Sequence, residues 1–299
     1  MADKLQSQRF ELKFLIDEKQ VPPIRNFVRS YLVADEFNTF DPRHLETEHE
    51  LLGNKLREVT AKLQAQNLME GLINSYWVNS LYVDSPTLDL AHATIEGKKN
   101  RFKLRIRFYD EKPDSPVFFE IKQRKNDIIQ KQRAMVHRSS AIRLLDRDDP
   151  SRDDLVHPGD AKALYALRRF VELKVELRAV GTAFVSYLRE AYVPTERNDF
   201  RVTFDRCIGA RPFRDSIIMP QDALEWPRLD YRNREGVADP VVLELKFSDR
   251  FPDWMHDLVE TFNLHRGACA KYVNSVAGLR QASLGDFNPL MRALREELI

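Results

Sequence analysis

A chain of 299 residues can bury one large core or two ordinary ones. Its 47 lysines and arginines against 46 acids leave a net charge of +1, which excludes the overall basic cloud of a nucleic-acid coat and makes local concentration of charge the clue. Two cysteines, Cys207 and Cys269, exclude a disulfide framework or metal knuckle, the polar start from Met1 to Phe10 carries no secretion signal, and no run reaches the roughly 18 apolar residues of a membrane span.

Arg9 to Ile16 alternates charge and apolar side chains and reads as a first strand, with Arg9, Glu11 and Lys13 on one face. Glu18 to Leu32 has helical spacing through Val21, Ile24, Phe27, Val28 and Tyr31, with Pro22 and Pro23 tolerable in its first turn. Thr47 to Leu72 suits a polar, exposed helix, a helical insertion near 43–74. Ser75 to Val83 is a strand that stops at Asp84-Ser85-Pro86, a turn signal. Leu88 to Ile95 is a short helical connector, and Gly97 to Asn100 turns into a strand over Arg101–Tyr109. The loop Lys112-Pro113-Asp114-Ser115-Pro116 leads to strands over Val117–Lys122 and Ile128–His137, so the pattern is an antiparallel meander and not a βαβ alternation. Asp146 to Asp154 is a charged loop, and Asp160 to about Phe170 is helical. Val171 to Leu177 alternates like a strand and equally continues the helix. Ala183–Val193 and Asp199–Asp205 form a strand pair around Pro194-Thr195, Val241–Phe247 is a further strand, and Pro252 to Leu264 an amphipathic helix. There is no internal repeat, and residues 1–299 read as one domain.

Strand parity gathers the cations. Lys103, Arg105 and Arg107 share one face, and Lys13, Lys122, Lys131, Arg133, Arg189, Arg201 and Lys246 lie on similar charged faces. Taken singly, each strand also describes the solvent side of an antiparallel sheet. The excess of Arg and Lys over acids on 101–107 argues against that, since cross-strand pairs normally mix signs. If the sheet closes into a barrel with helices packed outside, these rows line a wet cationic lumen wide enough for one small ligand. Guanidinium and ammonium groups gathered there need an anion, and phosphate fits, because Arg binds it bidentately and Lys acts as a point charge. Three acids share these faces, Glu11, Glu120 and Glu244. Each is either an ion-pair partner or an oxygen ligand for Mg²⁺ or Mn²⁺, which take one or two carboxylates plus substrate phosphates. Glu244 is the leading metal candidate, since Leu243, Leu245 and Phe247 fix its direction. His44, His49, His92, His137, His157, His256 and His265 show no metal-ligand spacing; Trp77, Trp226 and Trp254 read as core or rim anchors.

The ordered set of motifs resembles the catalytic domain of the vacuolar transporter chaperone (VTC) type, within the triphosphate tunnel metalloenzymes. The matching pieces are Arg-Phe-Glu-Leu-Lys-Phe at 9–14, Leu-Tyr-Val-Asp-Ser-Pro at 81–86, Arg-Phe-Lys-Leu-Arg-Ile-Arg-Phe-Tyr at 101–109, Phe-Glu-Ile-Lys at 119–122 and Lys-Gln-Arg at 131–133. They continue with Tyr-Leu-Arg-Glu-Ala-Tyr at 187–192, Arg-Val-Thr-Phe-Asp at 201–205, Leu-Glu-Leu-Lys-Phe at 243–247, Pro-Asp-Trp at 252–254 and Ala-Lys-Tyr at 270–272. The resemblance implies an α+β fold, a closed antiparallel β-barrel tunnel, basic inside. It implies polyphosphate synthesis, in which the γ-phosphoryl of ATP passes to a growing phosphate chain with Mn²⁺ or Mg²⁺. Lys13, Arg105, Arg107, Lys122, Lys131, Arg133, Arg189, Arg201 and Lys271 are then expected to bind phosphate and Glu244 the metal; Tyr187 and Tyr272 border the tunnel or pack in the core.

Arg9 stands where related tunnel enzymes often carry the first of two glutamates, which favours the VTC branch and leaves fewer carboxylates for a second metal. The chain also lacks the helical phosphate-sensing domain and membrane segments of the eukaryotic complex. The expectation is a cytoplasmic enzyme acting on ATP and polyphosphate, without nucleic acid, with a membrane protein as a candidate partner for its product. The rivals are a tripolyphosphatase or nucleoside triphosphatase, and a non-catalytic polyphosphate sensor.

Overall fold

Strand alternation near the N-terminus becomes β1 (Arg9–Asp17) in the computed structural model, which describes residues 9–38, 74–110, 112–126, 128–196, 199–213, 217, 240–267 and 269–281. The helical insertion expected near 43–74 lies, up to its last residue, outside the described residues, as do His44, His49 and Trp226. The other strands are β2 (Val33–Ala34), β3 (Tyr76–Asp84), β4 (Asn100–Phe108), β5 (Val117–Lys125), β6 (Ile128–Val136), β7 (Val180–Val193), β8 (Phe200–Pro212) and β9 (Pro240–Ser248). The helices are α1 (Val21–Arg29), α2 (Asp89–Ile95), α3 (Ala141–Asp146), α4 (Ala161–Glu176), α5 (Asp253–Thr261) and α6 (Lys271–Gln281).

Hydrogen bonds order the strands β1-β9-β8-β7-β3-β4-β5-β6, with β2 on β7. The fold is α+β with one large antiparallel sheet. The closed barrel expected from the sequence is not formed by the described pairings: β1 and β6 end the path unjoined. Charge is the physical correlate at one end, where Lys131 and Arg133 of β6 keep side chains 42% and 38% exposed, the usual means of blunting an edge strand.

By packing, the chain divides into two units, residues 1–77, 187–208 and 230–270, and residues 78–186, 209–229 and 271–299. In the first, α1 opens through a 3₁₀ turn at Glu18–Gln20, where Asp17 and Gln20 form a capping box. It then lays Val21, Ile24 and Val28 against Phe14 and Ile16 of β1, Phe204 of β8 and Leu243 and Leu245 of β9. Met255 and Leu258 of α5 join that core. Each such side chain contributes about 1.5–3 kcal/mol by leaving water.

The second unit packs Leu104, Ile106 and Phe108 of β4, Val117, Phe119 and Ile121 of β5, and Ala134 and Val136 of β6 under α4. Asp160 caps α4 by accepting from the backbone N–H groups of Lys162 and Ala163, both at 2.9 Å. The ambiguous stretch at 171–176 is helix, because Leu164, Leu167, Val171 and the stem of Lys174 continue one buried stripe. The Lys174 ammonium donates to the carbonyls of Leu144, Leu145 and Arg147, closing the end of α3. With the apolar parity of β4 and β5 committed to this core, period two sends the charged parity to the opposite face.

Candidate functional site

The cationic face of the second unit is set by an unbroken register. Across β4, β5 and β6, Arg107 pairs with Phe118 and Met135, and Arg105 with Glu120 and Arg133. Lys103 pairs with Lys122 and Lys131, and Arg101 with Arg124 and Ile129. Eight cations and one carboxylate thus share this face, and on β3 Ser80 lies beside Arg107 and Tyr82 beside Arg105. Glu120 is fully buried and gathers Arg105 Nε at 2.7 Å, Lys131 Nζ at 2.6 Å and Arg133 Nε at 3.2 Å. Burial opposes its charge, yet Arg105, Arg107 and Lys131 hold the carboxyl well below the usual carboxylate range. Burial, reinforced by Arg105 and Arg107 against Glu120, pushes the Lys131 ammonium down to about 7.

Arg107 is buried and donates from Nε to Ser80 Oγ at 3.4 Å, while Arg133 lays its guanidinium 3.6 Å from the Phe118 ring centroid. Lys271, buried at the start of α6, acts on the same centre. Burial pushes the Tyr82 phenol up, but Arg105, Arg107 and Lys271 together outweigh it and hold it below the ordinary tyrosine value. Tyr82 stacks on Tyr272 at 4.5 Å, and the Tyr272 hydroxyl donates to Asp84 Oδ2 at 2.6 Å. Asp84 also accepts from the backbone N–H groups of Ser85, Leu90 and Ala91, which fixes the start of α2 and so anchors the Tyr82 end of β3. The sequence reading placed Tyr82 in a strand and Asp84 at the turn that ends it, and gave neither a place among the site residues.

A second, balanced cluster lies within the first unit. Lys13 is opposite Glu244, Glu11 opposite Lys246, and Lys246 opposite Arg201. Glu244 is buried and bonded by three cations: Lys13 Nζ at 3.2 Å, Lys246 Nζ at 2.6 Å and Arg189 Nη2 at 3.5 Å. Lys13 also reaches Glu11 at 3.1 Å and donates to the Cys269 carbonyl at 3.1 Å. Arg189 binds Asp205 through a bidentate pair at 2.6 and 2.7 Å over the Tyr187 ring. Burial works against the Arg189 charge, but Asp205 raises its pKa well above the ordinary value. Arg201 is held apart from Glu244, donating to Asp35 Oδ2 at 2.6 Å and Tyr76 at 3.0 Å.

Among the described residues no group of three His, Cys, Asp or Glu side chains is placed to hold a metal ion. The donors do fit an ion that takes one or two carboxylates and fills its shell with phosphate oxygens. Glu244 and Glu11 flank the Lys13 ammonium, and the Thr203 hydroxyl, opposite Glu244 in register, is buried without a hydrogen-bond partner.

A family model described as the VTC domain matches residues 8–280. The chain belongs to the VTC domain family. Among solved structures, a candidate adenylate cyclase from Bacillus halodurans aligns with 87% of this VTC-domain chain and 94% of its own at 11% identity, with a TM-score of 0.42. A protein from Pyrococcus horikoshii OT3 aligns with 97% of this chain and 99% of its own at 12% identity, with a TM-score of 0.34. No curated protein matches the chain.

One buried network of the VTC domain escaped sequence reasoning altogether. Glu190 of β7 accepts from Arg25 Nε and Nη2 at 2.5 and 3.0 Å, from Arg206 Nη1 at 3.0 Å and from the Tyr192 hydroxyl at 2.7 Å. Arg206 in turn holds Glu18 with two bonds at 3.0 Å. Two arginines and two glutamates therefore neutralise each other inside the first unit, a structural pairing joined across long sequence separations.

Proposed function

We propose that this chain is an ATP-dependent polyphosphate polymerase. The observation that carries the reading is the second unit's face, where eight cations share a single carboxylate, in a chain whose residues 8–280 match the VTC domain model. In the reaction, a terminal oxygen of the phosphate chain attacks the γ-phosphorus of ATP while the bond to the β–γ bridging oxygen breaks, and ADP leaves. Phosphoryl transfer of this kind needs positioning and charge neutralisation more than covalent help.

Arg105, Arg107, Lys103, Lys122, Lys131, Arg133 and Lys271 bind phosphate oxygens in this reading, with Glu120 keeping the arginines aligned as an ion-pair partner. Lys13, Arg189, Arg201 and Lys246 serve the same purpose in the first unit. Glu244, with Glu11 in support, holds Mn²⁺ or Mg²⁺, which supplies positive charge to the phosphate oxygens when bound. Closure of the sheet into a basic tunnel, a single domain over residues 1–299 and residence in the cytoplasm beside a membrane-protein partner belong to the same proposal. Among the described residues no helix is long and apolar enough to cross a membrane.

Incubation with ATP and Mn²⁺ tests it: polymer on a gel supports the polymerase, and free phosphate alone replaces it with a tripolyphosphatase or nucleoside triphosphatase. One observation favours a further reading, a metal-free polyphosphate sensor: both Glu244 oxygens are already engaged by cations. Anion binding with neither polymer nor phosphate released selects that alternative.

A further inference from the structure

Asp84 ends β3 with both carboxylate oxygens engaged. Oδ1 accepts from the backbone N–H groups of Ser85 at 2.8 Å and Leu90 at 3.0 Å. Oδ2 accepts from the N–H of Ala91 at 3.0 Å and from the Tyr272 hydroxyl at 2.6 Å. An ionised carboxylate offers about four acceptor sites, and a side-chain amide would put donors where two of them are needed. The bonds from Leu90 and Ala91 cap α2, whose N-cap residue Leu88 makes no side-chain capping bond. The bond from Tyr272 instead crosses 188 residues of sequence to reach α6.

That reach fixes the first turn of α6 from two sides. The buried Tyr272 ring stacks on Tyr82 with centroids 4.5 Å apart and planes 17° apart, and Thr182 of β7 also bonds its hydroxyl. Strands β3 and β7, neighbours in the sheet, therefore hold one side chain by its face and its tip. Lys271 is the preceding residue, the first of α6, and it is buried as well. Ser275 Oγ donates to the Lys271 carbonyl at 2.7 Å. A helix N-terminus already presents positive charge, so α6 itself does not favour an ammonium there. A lysine stem is flexible, and its ammonium keeps to one place only if its backbone does. Lys271 acts on the Tyr82 phenol together with Arg105 and Arg107, which puts it beside those arginines.

We propose that Asp84 and Tyr272 are positioning residues: the bond between them seats the first turn of α6 so that Lys271 serves the anion held by Arg105 and Arg107. The inference rests on the phosphate-binding reading and adds two residues that act on the ligand through a third. Neither Asp84 nor Tyr272 has a hydroxyl or carboxylate oxygen to spare for that anion, since each is committed to the other.

The test measures the affinity of the full chain for inorganic tripolyphosphate by calorimetry, with a thermal melt of each protein, in wild type, Y272F, K271A and K271A/Y272F. Y272F keeps the ring on Tyr82 and removes only the hydroxyl. It is expected to stay folded and to bind tripolyphosphate about tenfold more weakly, as is K271A. The double variant should bind as K271A does, because a hydroxyl that acts through Lys271 has nothing left to position once the ammonium is gone. A purely structural role would lower the melting temperature without that convergence. Should Y272F fail to fold, D84N combined with K271A is read in the same way. Wild-type affinity in Y272F, or losses that multiply to about a hundredfold in the double variant, overturns the inference. So does failure of both Y272F and D84N to fold. Wild-type affinity in K271A overturns it too and leaves phosphate binding by the arginines standing. A wild type that does not bind tripolyphosphate overturns both.

Discussion

Arg105 and Glu120 stand directly opposite each other on β4 and β5, and the arginine Nε donates to the carboxylate at 2.7 Å. That one acid also takes Lys131 and Arg133. It keeps these cations aligned, so that a phosphate bound there, as proposed, would meet side chains already oriented, which lowers the ordering cost of binding.

Removing Arg105 or Arg107 should weaken tripolyphosphate binding by about 1.5–3 kcal/mol each, the scale of a charge-assisted hydrogen bond. Calorimetric titration of R105A and R107A checks this. Unchanged affinity in both variants takes them out of the site.

Glu244→Ala separates catalysis from capture. It is expected to reduce Mn²⁺-dependent turnover of ATP by at least about a hundredfold, the scale of losing a metal's several kcal/mol of charge stabilisation. Tripolyphosphate affinity should hold or rise, because Lys13, Lys246 and Arg189 lose a competitor. Parallel turnover and binding assays read the two effects apart.

Lys131 brings pH into the binding. Its pKa of about 7 is below the ordinary lysine value, so it carries full charge below that pH and loses it as pH rises through 7. Phosphate bound beside it favours the charged form, so binding takes up a proton. Wild type and K131R should bind tripolyphosphate alike at pH 6, and wild type should fall behind as the pH climbs to 8. Affinities measured across that range check it; parallel profiles for the two proteins refute it.

Glu190→Ala should destabilise the fold by about 3–5 kcal/mol, the cost of leaving buried partners uncompensated. Arg25, Arg206 and Tyr192 all depend on that carboxylate. A urea melt of the variant measures the loss.

The alternation of Lys103 to Phe108 made the cationic face legible, because a strand has only two sides and the apolar one must be buried. The apolar neighbours of Glu244 likewise announced its direction. Which rung meets which was not legible, since register depends on the turns and on contacts between strands far apart in sequence. Nothing in the spacing of Arg25, Glu190 and Arg206 foretells their meeting. Helix α6 did carry a signal, Tyr272, Val276 and Leu279 at intervals of four and three. The short stretch with Gly278 inside it masked that period. At 171–176 a two-residue alternation coincided with a helical stripe, and only the packing of α4 decides between them.

The Arg25–Glu190–Arg206–Glu18 quartet is sealed from water, whereas Arg133 on the cationic face keeps its side chain 38% exposed. Dissolved ions screen accessible charges far more than enclosed ones. If the chain binds polyphosphate as proposed, raising the ionic strength should thus strip it from the intact protein and leave the melting temperature almost unmoved, with release and unfolding governed by different charges.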